Sequence, residues 1–369
     1  MSRELRYTEV LDRVGADAFV LTSEAAVQHA VGVRLYTQRL IPQRPVVCVL
    51  APPAELALVA CVLEEDQLKS EHSGIQLRTY QEFGDDPWAA VADLLAAARR
   101  VIVEDTMPSA WSHALRQLLG DAEVIVSYEI PVEARVIKDF REQEVFALAS
   151  AAAERALRAG AELVAPGASE RDVAEGIVAS LRQELGERAS ELIGMCIGPQ
   201  NNRSMHHTSG PDRLPGRGPV RLGIVGRVDG YWILLTRMTL LAEDTTLERD
   251  YARYLEAYEE TLSLLGVGRQ PRDIYESCRR LVAKLGFELR TLKVGHGTGL
   301  DFREPPYISP WEERLLEEGM VLAYDYGLDA HDGTVLHVED RVLVTATGPE
   351  RLSGLWDLYD LRAGWRAVG

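Results

Sequence analysis

Gly295 to Gly327 reads GHGTGLDFREPPYISPWEERLLEEGMVLAYDYG, and this stretch decides the fold of the 369-residue chain. His296 sits between two glycines, as in a tight strand-to-loop turn that glycine backbones permit. VLAYDYGLD is a strand pattern interrupted by Asp325, and VLHVEDRVLV, further on, is interrupted by Glu339. A carboxylate inside a buried strand needs a partner or a neutral state, so these two acids are candidates for chemistry.

Outward from that core, the preceding segments form an internal echo. SERDVAEGIVASLRQELG (Ser169 to Gly186) resembles QPRDIYESCRRLVAKLG (Gln270 to Gly286), and each is followed by strand-like sequence. A repeat this long suits a duplication inside one domain rather than a solenoid. Ser169 with Asp172 three residues on predicts a helix start. VEARVIKDFREQEVFALASAAAERALRAGAELV reads as one long Ala-rich helical run, which places a domain boundary near residue 133. Residues 1–133 alternate strand and helix patterns and predict an α/β layer domain, including a hairpin where VVCVL and LALVACVL flank an Ala-Pro-Pro-Ala turn. No glycine-rich loop follows any of those strands, which argues against a nucleotide cradle.

Composition bounds the partners. Asp plus Glu number 57 against 40 Lys plus Arg, a net charge of -17. A field of that sign repels nucleic acid and anionic membrane surfaces. The longest apolar stretch, Val46 to Leu63, is broken by Pro52, Pro53 and Glu55 and is not a membrane span. The four cysteines are scattered, with no Cys-x-x-Cys pair, and the first residues carry no signal-peptide pattern; the expectation is a cytoplasmic protein.

Taken together, Gly295 to Gly327 and the runs RVIKDFREQE, GPQNN, His206-His207, DGYWILLTR and VEDRVLVT resemble the pita-bread superfamily of methionine aminopeptidases, aminopeptidase P, prolidases and creatinase. The resemblance covers residues 134–369, and residues 1–133 look like the smaller N-terminal domain of the creatinase and prolidase branch. It implies an α/β N-terminal domain plus an α+β pita-bread C-terminal domain with a pseudo-twofold duplication. It also implies a homodimer in which the small domain closes over the partner's site.

The peptidases of this superfamily hold two metal ions with Asp, Asp, His, Glu and Glu. By resemblance His296 is the histidine, Asp325 stands for the first Glu and Glu339 for the last. The first Asp falls on Ile224, or on the neighbouring Gly223 because the loop is one residue short, and the second falls on Leu234. A second family histidine is replaced by Arg303, while the loop histidine remains as His207. Aliphatic side chains supply no ligand to a bridged pair of cations, so the expectation is that no metal is held.

The favoured expectation is therefore a cofactor-free, creatinase-like hydrolase of a C–N bond in a small amidine, guanidine or N-substituted amino acid. By that analogy His207, His296 and Glu339 are catalytic, with His207 as general acid and base. Arg303 would take a carboxylate of a zwitterionic ligand through paired N–H donors, and Asp325 would grip its cationic group. Trp232, Tyr324 and His206 would complete the binding wall. The glutamate that holds substrate in creatinase falls on Thr236, which makes creatine itself a poor match. Three other readings stay open: a single divalent metal on His296, Asp325 and Glu339, a catalytically inactive binding protein, and a metal-free lyase or decarboxylase.

Overall fold

The computed structural model describes residues 3–53, 56–71, 74–205 and 207–356. Chain contacts divide it into two units, Met1–Val136 and Ile137–Gly369, three residues beyond the boundary placed at 133.

The first unit runs α1 (Arg3–Val14), β1 (Ala18–Leu21), α2 (Glu24–Val31), α3 (Tyr36–Leu40), β2 (Val47–Leu50), β3 (Ala57–Cys61), α4 (Glu65–Glu71) and β4 (Gln76–Tyr80). It continues through α5 (Pro87–Leu94), β5 (Arg100–Val103), α6 (Ser109–Leu119), β6 (Glu123–Val126) and α7 (Glu129–Val136). Its six strands lie in the order β4-β3-β2-β1-β5-β6. β2 and β3 pair antiparallel, as the hairpin reading expects, whereas β1, β5 and β6 are parallel neighbours. Both faces of the sheet are covered: Phe19 and Leu21 enter one apolar cluster, Ala18 and Val20 the other. That is why these strands read as continuous apolar runs rather than alternating ones.

The second unit opens with α8 (Phe140–Glu162) and α9 (Glu170–Leu185), followed by β7 (Ala189–Ile197), β8 (Pro219–Val228) and β9 (Tyr231–Leu240). Then come α10 (Thr245–Leu262), α11 (Pro271–Lys284), β10 (Gly295–Gly297), β11 (Glu304–Tyr307), β12 (Val321–Asp329), β13 (Val335–Thr345) and β14 (Gly348–Arg351). The sheet order is β11-β10-β12-β13-β9-β8-β7, with β14 on β13. Two helices lead into β7-β8-β9, and two more lead into β10-β12-β13. The halves meet at the β13–β9 seam, where Glu339 lies opposite Thr236. This is the pita-bread arrangement, with the duplicated halves side by side in one sheet.

The long helical run is two helices, not one. Asp139 caps α8: its carboxylate accepts from Glu142 N–H and the Glu142 carboxylate accepts in return from Asp139 N–H. That reciprocal pair restarts the helix after a break at residues 137–139 and is spelled in the sequence as Asp-x-x-Glu. Ser169 caps α9 by accepting from Asp172 N–H, as its spacing predicts.

α9 packs tightly on β7, and Gly194 makes this approach possible. A Cβ there would stand 2.1 Å from the Ala174 carbonyl oxygen, which is backbone and cannot swing aside. Gly194→Ala is expected to cost about 1–3 kcal/mol, as over-packing of a tight contact does. Thermal unfolding checks this, and a variant as stable as the parent would contradict the close approach.

All four cysteines are buried and unpaired, Cys48 and Cys61 in the first unit, Cys196 and Cys278 in the second. Among the described residues no helix is long and apolar enough to cross a membrane.

Candidate functional site

β12 and β13 pair antiparallel with Asp325 directly opposite Glu339, so strand register alone sets the two carboxylates side by side. β10 pairs with β12 on the other side, putting His296 opposite Ala323. Across the seam, Thr236 Oγ1 donates to Glu339 Oε2 at 3.4 Å. The strands enclose a cavity of about 180 Å³ whose wall includes Arg221, Lys293, His296, Arg303, Asp325 and Glu339.

The electrostatics are mixed. Lys293 Nζ donates to Asp325 Oδ1 at 2.6 Å, a pair about four-fifths buried on both sides. Burial first, and the charge of Asp325 second, push the Glu339 carboxyl up to about 7. Arg341 Nη1 approaches Glu339 at 3.8 Å, and burial lowers the pKa of that guanidinium. His296 is buried, and desolvation with the positive charge of Lys293 holds its pKa well below the usual imidazole value. Its Nδ1 lies 2.8 Å from the Gly297 carbonyl, which can only accept, so Nδ1 carries the proton and Nε2 is the free acceptor.

Arg237 fixes the seam. Its guanidinium donates to the Thr236 and Glu339 carbonyls, both at 2.9 Å, and to Asp340 Oδ1 at 2.5 Å, with both side chains of the ion pair fully buried. It reaches Ser353 Oγ and the Gly354 carbonyl as well. The backbone that presents Glu339 is therefore clamped from beneath.

Of the residues singled out from the sequence, the cavity unites His296, Arg303, Asp325 and Glu339. The others go elsewhere. Tyr324 is fully buried on the opposite face of β12, where its hydroxyl meets Thr261 Oγ1 and its ring packs on Tyr258. Strand alternation requires this once Asp325 faces the cavity. Trp232 does not line the cavity either: it stacks under the Arg227 guanidinium and meets Phe302 edge to face. His207 lines a groove along α9 and β7 that shares Met195 and Val225 with the cavity wall, and its Nε2 lies 3.0 Å from the buried Glu170 carboxylate. The carboxylate that His207 meets is that of Glu170, not Glu339. His206 lies outside the described residues.

Sequence reasoning missed Lys293 and Arg221. Lys293 precedes His296 by three residues in TLKVGH, and Arg221 shares its strand face with Gly223 and Val225, a period of two that could have marked it.

The same alternation tests the fit to a metal pair. Gly223, not Ile224, faces the cavity, since Ile224 belongs to the apolar cluster on the far side of the sheet. Gly223 carries no side chain, so this position offers a metal ion no ligand. Leu234 occupies the other aspartate position on the cavity wall. Lys293 already neutralises Asp325. Among the described residues no group of three or more His, Cys, Asp or Glu side chains is placed to hold a metal ion. The residues present do not fit a two-metal centre, nor do His296, Asp325 and Glu339 form a one-metal cluster.

The pattern that defines metallopeptidase family M24 matches residues 144–346. The chain is 23% identical to an Xaa-Pro dipeptidase of Pyrococcus horikoshii, over 78% of this chain and 81% of that one. It is 25% identical to a probable dipeptidase PepE of Mycobacterium tuberculosis, over 85% of this chain and 82% of that one. The solved structure of an Xaa-Pro dipeptidase from Bacillus anthracis superposes with a TM-score of 0.84 at 20% identity, covering 96% of this chain and 98% of that one. These findings correct two expectations from the sequence. A creatinase-like, metal-independent hydrolase of an amidine or guanidine gives way, because the relatives are dipeptidases. A site expected to need no cofactor gives way as well, because the matching family is one of metallopeptidases.

Proposed function

The chain belongs to metallopeptidase family M24, and from that premise we propose that it is a hydrolase of the peptide bond in dipeptide-sized substrates. The observation that carries this reading is the cross-strand pair of Asp325 and Glu339 on the wall of a small cavity that Arg303 also lines. A dipeptide presents an ammonium group at one end and a carboxylate at the other. The two acids suit the ammonium, and the guanidinium of Arg303 suits the carboxylate through paired N–H donors. Glu339, with its carboxyl raised to about 7 by burial, is the group able to accept and return a proton near neutral pH. His296 Nε2 is a second acceptor on the same wall. Because the side chains do not fit the family's metal pair, no step is assigned to a metal here.

A homodimer and a cytoplasmic setting belong to the same reading; the unpaired, buried cysteines agree with a reducing compartment. The test is release of free amino acids from Xaa-Pro and non-proline dipeptides by the purified protein, with and without added divalent metal ions. Hydrolysis of at least one dipeptide class supports the reading. A complete lack of turnover across the panel, under every metal condition, sinks it.

A further inference from the structure

Arg221 is 3% exposed and stands on the wall of the same cavity. Its guanidinium donates to the Ser204 carbonyl and approaches Met205 Sδ at 3.7 Å, both uncharged. No carboxylate among the described residues pairs with it, and burial together with the like charge of Arg290 lowers its pKa to about 10. A guanidinium buried without a counter-ion is costly, since neither water nor an opposite charge offsets its desolvation. The rest of the cavity does not make up the deficit. The two carboxylates on its wall face other cations, Asp325 being paired with Lys293 and Glu339 approached by Arg341.

A dipeptide with neutral side chains has no net charge and brings none to spare for Arg221. A dipeptide with an Asp or Glu side chain brings the missing negative charge. We infer that Arg221 is a side-chain carboxylate subsite and that the substrate class of this cavity is acidic dipeptides. The inference rests on the dipeptide reading above and narrows it. The planar fork of Arg221 can hold a carboxylate by two parallel N–H bonds, which a side-chain amide of the same shape cannot match. Arg221 therefore binds substrate and selects it, while the acids on β12 and β13 face the scissile end.

The test compares Glu-Pro with Gln-Pro, and Asp-Ala with Asn-Ala, by calorimetric titration, or by kcat/KM where a dipeptide is turned over. The acidic member of each pair should be favoured on the order of 100-fold. Arg221→Gln should weaken the acidic member alone and bring each pair within about 3-fold, while Arg221→Lys should keep part of the preference. Equal affinity within the pairs for the unmodified protein overturns the inference, and so does a preference that survives in folded Arg221→Gln. Failure to bind any of the four dipeptides overturns it too. If Arg221→Gln does not fold, the unmodified protein and Arg221→Lys still decide. Hydrolysis without acid preference would remove this subsite and leave the proposed function standing. Tight acid-selective binding without hydrolysis would do the reverse.

Discussion

Arg237→Met should destabilise the second unit by about 3–5 kcal/mol, the usual loss when one partner of a buried ion pair is removed. The guanidinium and the Asp340 carboxylate are fully buried, and Arg237 also binds the carbonyls of Thr236, Glu339 and Gly354. Met fills the space and keeps the volume, so the cost falls on the stranded carboxylate and the orphaned carbonyls. Arg351 Nε, 3.3 Å from Asp340 Oδ2, remains as a partial partner and favours the lower end of the range. Urea unfolding measures the difference. Adding Asp340→Leu should recover a large part of the loss, because the uncompensated charge goes with it. If the double variant is as unstable as Arg237→Met, packing and not charge explains the effect.

Glu339→Gln should cut turnover by a factor of about 10²–10⁴, the range of a lost general acid or base, while leaving the fold intact. The stability arm has the opposite sign from most core substitutions. Burial raises the Glu339 carboxyl from its ordinary value of 4.5 to about 7, so between those values the folded state binds more protons than the unfolded chain. Unfolding free energy therefore falls as pH rises through that window, and above it the folded state holds a carboxylate it would rather keep protonated. Glutamine removes this slope. The thermal midpoint of the parent should drop relative to Glu339→Gln between about pH 5 and pH 7.5, by the linkage of protonation to folding. Full turnover in the variant would end the role given to Glu339. Parallel midpoints across the pH range would end the account of its burial.

The legible parts of this molecule were those written in local pattern. Asp325 and Glu339 betrayed themselves as acids within apolar strands, and one cross-strand pairing brought them together. The Pro52-Pro53 hairpin and the Ser169 cap were equally local. Face assignment was not. Tyr324 neighbours Asp325 in sequence, yet alternation turns it into the tyrosine stack against α10, with Tyr254 and Tyr258. Ile224 and Gly223 were both open as the aspartate position until the sheet showed which one faces the cavity. Contacts made only by long-range folding were invisible: Lys293 reaches Asp325 across 32 residues of chain, and His207 turns to Glu170 across 37. Family resemblance pointed to these strands and misjudged the chemistry, because function rests on individual side chains rather than on the fold.

The buried cysteines make the chain its own reporter. Each unit holds two, and burial pushes the thiols of Cys48, Cys196 and Cys278 above their ordinary range, so in the folded state they resist alkylation. A thiol reagent added to native protein marks Cys48 or Cys61 only when the first unit opens, and Cys196 or Cys278 only when the second does. Peptide mass mapping then separates the two opening rates in a single sample, without a label or an engineered residue.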